Sequence, residues 1–184
     1  MKLTKSISAL LLPAALLTSG AALADNNRGF FAGVGASAIN VDDSASFDKA
    51  NLWTAEIFGG YKLNPWLGAE VRYGTGLGEE ELYLDYAGLS TTKMDIDNSV
   101  SIYYRAEAVN QTGRFYALLG YSDVEFTVLG NGASATLSED DFSWGLGAGF
   151  IVAPKLSLNF EYRNLVDVDA YRFTTITTSL DYRF

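Results

Sequence analysis

Charged side chains of opposite sign lie two residues apart in several segments of this chain. Such side chains could line a gated or selective conduit, or they could pair with one another in a packed polar core. The chain contains no His and no Cys, so it lacks the commonest general base, the commonest transition-metal ligand and a thiolate nucleophile. We therefore predict no catalytic site, no metal site and no cofactor, and we expect that the protein is not an enzyme. The charged residues are Glu56, Lys62, Glu70, Arg72, Arg105, Glu107, Glu161, Arg163, Asp181 and Arg183.

Acidic residues cluster in four other stretches, and their carboxylates could bind divalent cations. None of these stretches has the twelve-residue spacing with a central Gly that a calcium-binding loop requires. The alternative is a solvated surface that resists aggregation by repulsion. The formal net charge of −9 also argues against a nucleic-acid partner, whose phosphates need a basic face. The acidic clusters are Asp42, Asp43 and Asp48; Glu79, Glu80, Glu81 and Asp85; Glu139, Asp140 and Asp141; and Asp167 and Asp169.

Residues 1–24 have the pattern of a secretory signal peptide. Lys2 and Lys5 form a basic start, an apolar stretch follows over 7–17, and the triplet 22–24 is a small-residue cleavage site. The apolar stretch is too short to cross a bilayer as a helix, which needs about 20 residues. We predict that residues 1–24 are cleaved off and that residues 25–184 form one domain.

The rest of the chain alternates between apolar and polar residues with a period of two, which predicts β-strands. Over 156–163 every even position is apolar and every odd position is polar. A helix would place the apolar residues all round its circumference, so strands are favoured. The stretch 115–126 is apolar on both faces through Leu119, and its register is left open. Similar alternation covers 30–38, 53–63, 67–73, 100–108, 142–152 and 176–184.

Short and long connections alternate between the predicted strands. The short ones are turn-like in composition, and in an antiparallel arrangement they all lie at one end, with the long loops at the other. That asymmetry is typical of outer-membrane barrels. The sequence therefore predicts an all-β, eight-stranded antiparallel up-and-down transmembrane β-barrel with short periplasmic turns and longer extracellular loops. The short connections are 64–66, 110–113 and 153–155, and the long ones cover about 42–51, 74–95, 127–140 and 164–169.

The competing architecture is a soluble barrel, in which the apolar faces would point inward. Here the polar faces combine small residues with charges of both signs, which suits the narrow interior of a membrane barrel. The apolar faces carry aromatic residues near the strand ends, as expected for girdles at the two membrane interfaces. The predicted interface aromatics are Trp53, Tyr61, Trp66, Tyr73, Trp144 and Tyr162.

Three stretches carry longer motifs: GYKLNPWLGAEVRY at 60–73, DFSWGLGAGF with LSLNFEYR at 141–150 and 156–163, and SLDYRF at 179–184. They resemble the second hairpin, the closing strands and the C-terminal assembly signal of small Gram-negative outer-membrane barrels. They are similar to the OmpA membrane domain and to the OmpX/Ail group, within the porin family in the broad sense. In this chain the assembly signal corresponds to Leu180, Tyr182 and Phe184.

The resemblance implies a location in the outer membrane of a Gram-negative bacterium, after export through the inner membrane. It implies a monomer that contacts the lipid bilayer, lipopolysaccharide, periplasmic chaperones and the barrel assembly machinery. Because eight strands leave little more room than their side chains fill, we expect a closed interior and a structural, surface-interaction role. The alternative is a narrow porin-like channel for small solutes or ions.

Overall fold

The computed structural model describes residues 28–43, 49–78, 80–82, 92–130, 133–167 and 171–184. The predicted signal peptide and parts of the predicted long connections lie outside these ranges. Within the part of the chain that is described, no helix has the length and apolarity needed to cross a membrane.

The described residues form antiparallel β-strands that close into one barrel. β9 pairs with β1, and this pairing closes the sheet. β3 and β4 both pair with β5, so together they make one strand of the barrel and the total is eight. This confirms the predicted fold class. The strands are β1 Gly29–Asp43, β2 Lys49–Asn64, β3 Leu67–Gly76, β4 Glu80–Leu82, β5 Thr92–Val109, β6 Gly113–Gly130, β7 Ala133–Ala153, β8 Leu156–Asp167 and β9 Tyr171–Arg183.

The alternation in the sequence sets which side chains face outward. Over most of each strand the apolar side chains are exposed on the outer surface and the polar ones are buried inside. The structure also sets the register of 115–126: Phe115, Leu119 and Tyr121 face outward, whereas Tyr116 and Leu118 are buried inside. Pattern alone left this register open because both faces of β6 are apolar.

Several predicted boundaries of the long connections were wrong. Most of 127–140 is strand, because β6 continues to Gly130 and β7 begins at Ala133. β8 likewise extends through most of 164–169, ending at Asp167. Polar residues of 127–140 such as Thr127, Thr136 and Asp140 occupy outward positions of strands that continue beyond the apolar belt.

A cluster of buried apolar side chains fills the interior at the end with the long connections. The rings of Phe126 on β6 and Phe173 on β9 meet inside the barrel with their centroids 5.4 Å apart, although these strands are not neighbours. On the same segment of β6, the residues that alternate with the buried ones are the polar Asp123, Glu125 and Thr127. The pattern therefore reverses here, to apolar inside and polar outside. This apolar cluster consists of Ile39, Leu52, Ile96, Val124, Phe126, Leu165, Val166 and Phe173.

Inward aromatic rings lie against glycines of the neighbouring strand, because a position without a side chain leaves room for a flat ring. A Cβ added at Gly147 would overlap the ring of Tyr116, and one added at Gly33 would overlap the ring of Phe58. In each case the ring and the glycine are direct partners across the sheet. The four such pairs are Phe31–Gly60, Phe58–Gly33, Tyr103–Gly120 and Tyr116–Gly147.

Replacing Gly147 with Ala should destabilise the barrel by about 1–3 kcal/mol, because the new methyl group must displace the buried Tyr116 ring. The measurement is urea unfolding of the protein refolded in lipid vesicles, followed by tryptophan fluorescence. The control is Gly59→Ala, where the nearest atom to a new Cβ is the Phe31 carbonyl oxygen at 3.6 Å. We expect this control to change the unfolding free energy by no more than about 0.5 kcal/mol. Equal losses for both variants would contradict the packing described.

Candidate functional site

The interior of the barrel is the candidate site, and all ten charged residues predicted for it lie there. None of them is more than 7% exposed. They come from β2, β3, β5, β8 and β9. On four of these strands the two charges are two residues apart, and side chains at i and i+2 project from the same face of a strand. The alternation therefore brings acids and bases together inside a narrow space.

The central group of charges surrounds Arg72. Its Nε lies 2.6 Å from Glu70 Oε1, its Nη2 lies 2.8 Å from Glu161 Oε2 and its Nη1 lies 3.4 Å from Glu56 Oε2. Arg163 also contacts Glu56, and its Nε lies 2.7 Å from Glu161 Oε1. Two guanidinium groups thus join three carboxylates from β2, β3 and β8, across the barrel interior.

A second group lies closer to the short turns, around Glu107. Its Oε1 lies 2.6 Å from both Lys62 Nζ and Arg183 Nη2, and its Oε2 lies 3.1 Å from Arg105 Nε. Arg105 Nη1 is in turn 2.9 Å from Glu70 Oε2. Arg105 therefore connects the two groups, and nine of the ten predicted charges form one continuous network.

Arg114 is an interior residue that the sequence reasoning missed. It is buried and forms an ion pair with Asp181. Its Nε and Nη2 donate hydrogen bonds of 3.0 Å and 2.6 Å to Asn159 Oδ1, and Asn159 Nδ2 donates one of 3.0 Å to Asp181 Oδ2. Arg114 lies on the same face of β6 as Tyr116. It could have been found only by knowing which face of β6 points inward.

Stacking on aromatic rings positions the guanidinium groups of the network. The guanidinium of Arg105 lies 3.8 Å from the centroid of the Tyr116 ring and 5.3 Å from that of Phe31. Arg72 lies 4.7 Å from the centroid of Phe58. A cation over a ring face is stabilised by the ring quadrupole. Because these three rings lie flat on glycines, the glycines indirectly set where the two arginines sit.

Hydroxyl groups occupy the space between the charge network and the apolar cluster. Tyr103 Oη lies 2.8 Å from Ser143 Oγ and 3.0 Å from Ser122 Oγ. Ser122 Oγ donates to Ser101 Oγ at 2.8 Å, and Ser143 Oγ donates to the carbonyl oxygen of Asn164 at 2.6 Å. The interior therefore holds three successive layers, which are charged, hydroxylic and apolar.

The predicted interface aromatics and the C-terminal motif lie on the outer surface. Trp144 and Tyr162 contact each other on β7 and β8, with ring centroids 5.8 Å apart. Leu180 and Tyr182 face outward on β9, and Tyr182 packs edge-on against Phe184. Towards the long connections lie Trp53, Tyr73, Trp144 and Tyr162, and towards the short turns lie Tyr61 and Trp66.

The described members of the predicted acidic clusters lie at the end with the long connections. Glu139, Asp140 and Asp141 are on β7, and Asp167 ends β8. Among the described residues, no group of three or more acidic side chains is placed to hold a metal ion. Of the other members, Asp42 and Asp43 are on β1, Glu80 and Glu81 are on β4, and Asp48, Glu79, Asp85 and Asp169 lie outside the described residues.

The family model for the outer membrane protein beta-barrel domain matches residues 9–184. The chain belongs to this family. A comparison with curated protein sequences gave no match. The family assignment agrees with the closed antiparallel sheet, its apolar outer belt and its charged interior.

Solved structures share the fold of this outer-membrane barrel at low sequence identity. Ail, the attachment invasion locus protein of Yersinia pestis, has a TM-score of 0.64 and 17% identity over 86% of this chain and 99% of that chain. The Ail structure is a complex with the heparin analogue sucrose octasulfate. Neisserial surface protein A has a TM-score of 0.61 and 17% identity over 85% of this chain and 97% of that one. OprG from Pseudomonas aeruginosa has a TM-score of 0.58 and 11% identity, with coverages of 86% and 97%.

The family and these structures indicate the outer membrane of a Gram-negative bacterium as the location of the barrel. The short turns then face the periplasm and the long connections face the outside. The exposed apolar belt contacts lipid. The apolar cluster lies at the extracellular end, where the outer face of the strands is polar.

Proposed function

We propose that this protein is a closed, non-enzymatic barrel that supports the outer membrane and presents a rigid extracellular end for surface contacts. The observation that carries this proposal is the burial of the interior charges. Side chains that line a water-filled channel are accessible to water, whereas Glu70, Arg105 and Arg163 are each only 2% exposed. Eight strands provide an interior just wide enough for its own side chains.

The apolar cluster supports closure independently of the charges. Val124, Val166 and Phe173 have no exposed surface at the extracellular end of the interior. An ion on its way through the barrel would have to leave water and pass among these side chains, which is costly for a charge. A conduit would therefore require both the ion pairs and the apolar packing to open.

The outer face of the extracellular end favours particular surface contacts. Outward positions such as Asp123, Glu125 and Asp140 are acidic, so a polyanion of the kind bound to Ail would be repelled. We propose that contacts at this end involve cationic partners, or lipopolysaccharide phosphates bridged by divalent cations.

The route to the membrane completes the proposal. Cleavage after Ala24 would release residues 25–184 to periplasmic chaperones. The barrel assembly machinery would then recognise Leu180, Tyr182 and Phe184, whose aromatic members pack against each other at the end of β9. The inserted protein would act as a monomer, since its sheet is already closed by β1 and β9.

We expect no stable conductance when the purified protein is added to a planar bilayer, because charged, hydroxylic and apolar layers fill the interior. The measurement is single-channel recording in KCl, with a sixteen-stranded porin as positive control. A mobility difference between unheated and boiled protein in SDS gels serves to show that the sample is folded. A reproducible, ion-selective channel from folded monomer would replace the proposal with the porin-like alternative.

A further inference from the structure

Two cations and four aromatic side chains form a patch on the outer surface at the periplasmic end. The patch lies where β9 and β1 close the barrel, and it also includes the adjoining ends of β2 and β8. Its position at the edge of the apolar belt places it at the level of the lipid headgroups. We call this group the seam patch, and it consists of Arg28, Phe30, Tyr61, Lys155, Tyr182 and Phe184.

One half of the seam patch is centred on Tyr61. Arg28 Nε donates a hydrogen bond of 3.2 Å to Tyr61 Oη. The ring of Phe30 packs edge-on against that of Tyr61, with centroids 4.7 Å apart. Arg28 and Phe30 are exposed, so this half presents a cation directly above an apolar surface.

The other half is centred on Tyr182. Lys155 Nζ lies 5.7 Å from the centroid of the Tyr182 ring, and Phe184 packs edge-on against the same ring at 5.3 Å. The backbone N–H of Phe184 donates a hydrogen bond of 3.1 Å to the carbonyl oxygen of Phe30. That bond joins the two halves, so both cations belong to one surface.

A hollow opens at this seam towards the periplasm. It is shallow and open to solvent, and it is bordered by Arg28, Phe30 and Phe184, with Lys62 and Arg183 at its inner wall. Three of these five residues are cationic. Lys62 and Arg183 are both paired with Glu107, so the cation that this hollow presents to solvent is Arg28 at its rim.

The charge on the outer surface differs between the two ends of the barrel. Within the described ranges, no carboxylate forms an ion pair with Arg28 or Lys155, whereas Arg172 at the extracellular end is paired with Asp167. The extracellular end also carries the acidic residues of β6 and β7. An anionic group is thus attracted to the periplasmic end and repelled from the other.

We propose that the seam patch binds anionic phospholipids of the periplasmic leaflet. Their phosphates pair with Arg28 and Lys155, and their acyl chains lie along Phe30, Tyr61 and Tyr182. Basic residues near an anionic membrane surface attract its headgroups, and Tyr rings at this depth present an apolar body to the chains and a hydroxyl to the headgroups. This binding goes beyond the proposed function and does not depend on whether the interior is closed.

The test is native mass spectrometry of the full chain, folded in a zwitterionic detergent and mixed with equal amounts of phosphatidylglycerol and phosphatidylcholine with identical acyl chains. We expect the wild type to retain phosphatidylglycerol in preference. The double variant Arg28→Gln with Lys155→Gln should lower that preference at least fivefold, since one cation near an anionic surface contributes a factor of about five. Both residues lie outside the interior network, and the gel mobility shift shows that the variant is folded.

The matched control is Lys93→Gln with Arg172→Gln, which removes two cations from strands at the extracellular end. We expect it to retain the wild-type preference. The proposal fails if the wild type does not discriminate between the two lipids or if the seam-patch variant keeps the full preference. An equal loss in the control variant would also overturn it, because overall charge would then explain the binding. Excess glycerol phosphate should not displace the lipid, and displacement would identify a soluble anion site instead.

Discussion

Replacing Arg105 and Arg163 together with Ala should destabilise the barrel severely before it opens a pore. Arg105 joins Glu70 to Glu107, and Arg163 contacts Glu56 and Glu161. Without them, carboxylates remain buried with fewer opposite charges around them. Breaking one buried pair typically costs about 3–5 kcal/mol, so the double variant should lose most of the stability of the barrel. Urea unfolding in lipid vesicles measures the loss, and bilayer recording should still detect no stable channel.

The control for this prediction is Arg172→Ala. Arg172 Nε lies 2.9 Å from Asp167 Oδ2, yet the two side chains are 56% and 43% exposed. An exposed pair of this kind contributes about 0–1 kcal/mol. If the double interior variant is as stable as this surface variant, the interior charges are accessible to water and the closed-barrel proposal is wrong.

Replacing Phe160 with Arg should lower the free energy of unfolding by about 2–4 kcal/mol, because the new charge faces lipid near the middle of the bilayer. Phe160 is on the outer face of β8, two residues before the interface residue Tyr162. The matched change is Val152→Arg, at the last outward position of β7 before the periplasmic turn. There the charge reaches the headgroups, so the cost should fall to about 0–1 kcal/mol.

Reversible unfolding of both variants in vesicles gives these two free energies directly. The depth dependence is the informative quantity, since a soluble barrel would tolerate Arg equally at two exposed positions. Equal and small costs at Phe160 and Val152 would show that the outer belt does not contact lipid. A large cost at both positions would indicate that the bilayer extends to the periplasmic turns.

The fold was predictable because a lipid-facing strand must alternate strictly. Within the apolar belt each outward position contacts hydrocarbon and each inward one contacts other side chains, so the sequence repeats every two residues. That constraint made the faces of β8 and β9 readable residue by residue. It also placed the ten charges on inward-facing positions without knowledge of their partners.

The same reasoning failed where the membrane no longer imposes the pattern. Thr127 and Thr136 fall in a stretch predicted as a long connection, but they are outward residues of strands that continue beyond the bilayer. Arg114 was missed because its neighbours on β6 are apolar on both faces. The alternation alone could not resolve either case. The first requires the depth of each residue relative to the membrane, and the second requires the register of β6 against its neighbouring strands.

The partners inside the barrel were predictable only within a strand. Glu70 with Arg72 and Glu161 with Arg163 are neighbours at i and i+2, and each pair is in contact. The contact between Arg72 and Glu161 joins β3 to β8. Such contacts depend on how the sheet curls and on the stagger of its strands, and neither is encoded in the alternation of one segment.

The reversed pattern at the extracellular end has a consequence for how this protein can evolve. Positions such as Asp123, Glu125 and Asp140 contact neither hydrocarbon nor the ion pairs of the interior, so a mutation there leaves insertion and stability almost untouched. Val124 and Phe126 alternate with these positions on β6 and hold the apolar cluster together. A molecule that binds the cell surface would meet the acidic set, while selection for folding would preserve Val124 and Phe126. The outer face of the extracellular end can therefore change one substitution at a time, while the apolar cluster and the barrel beneath it stay the same.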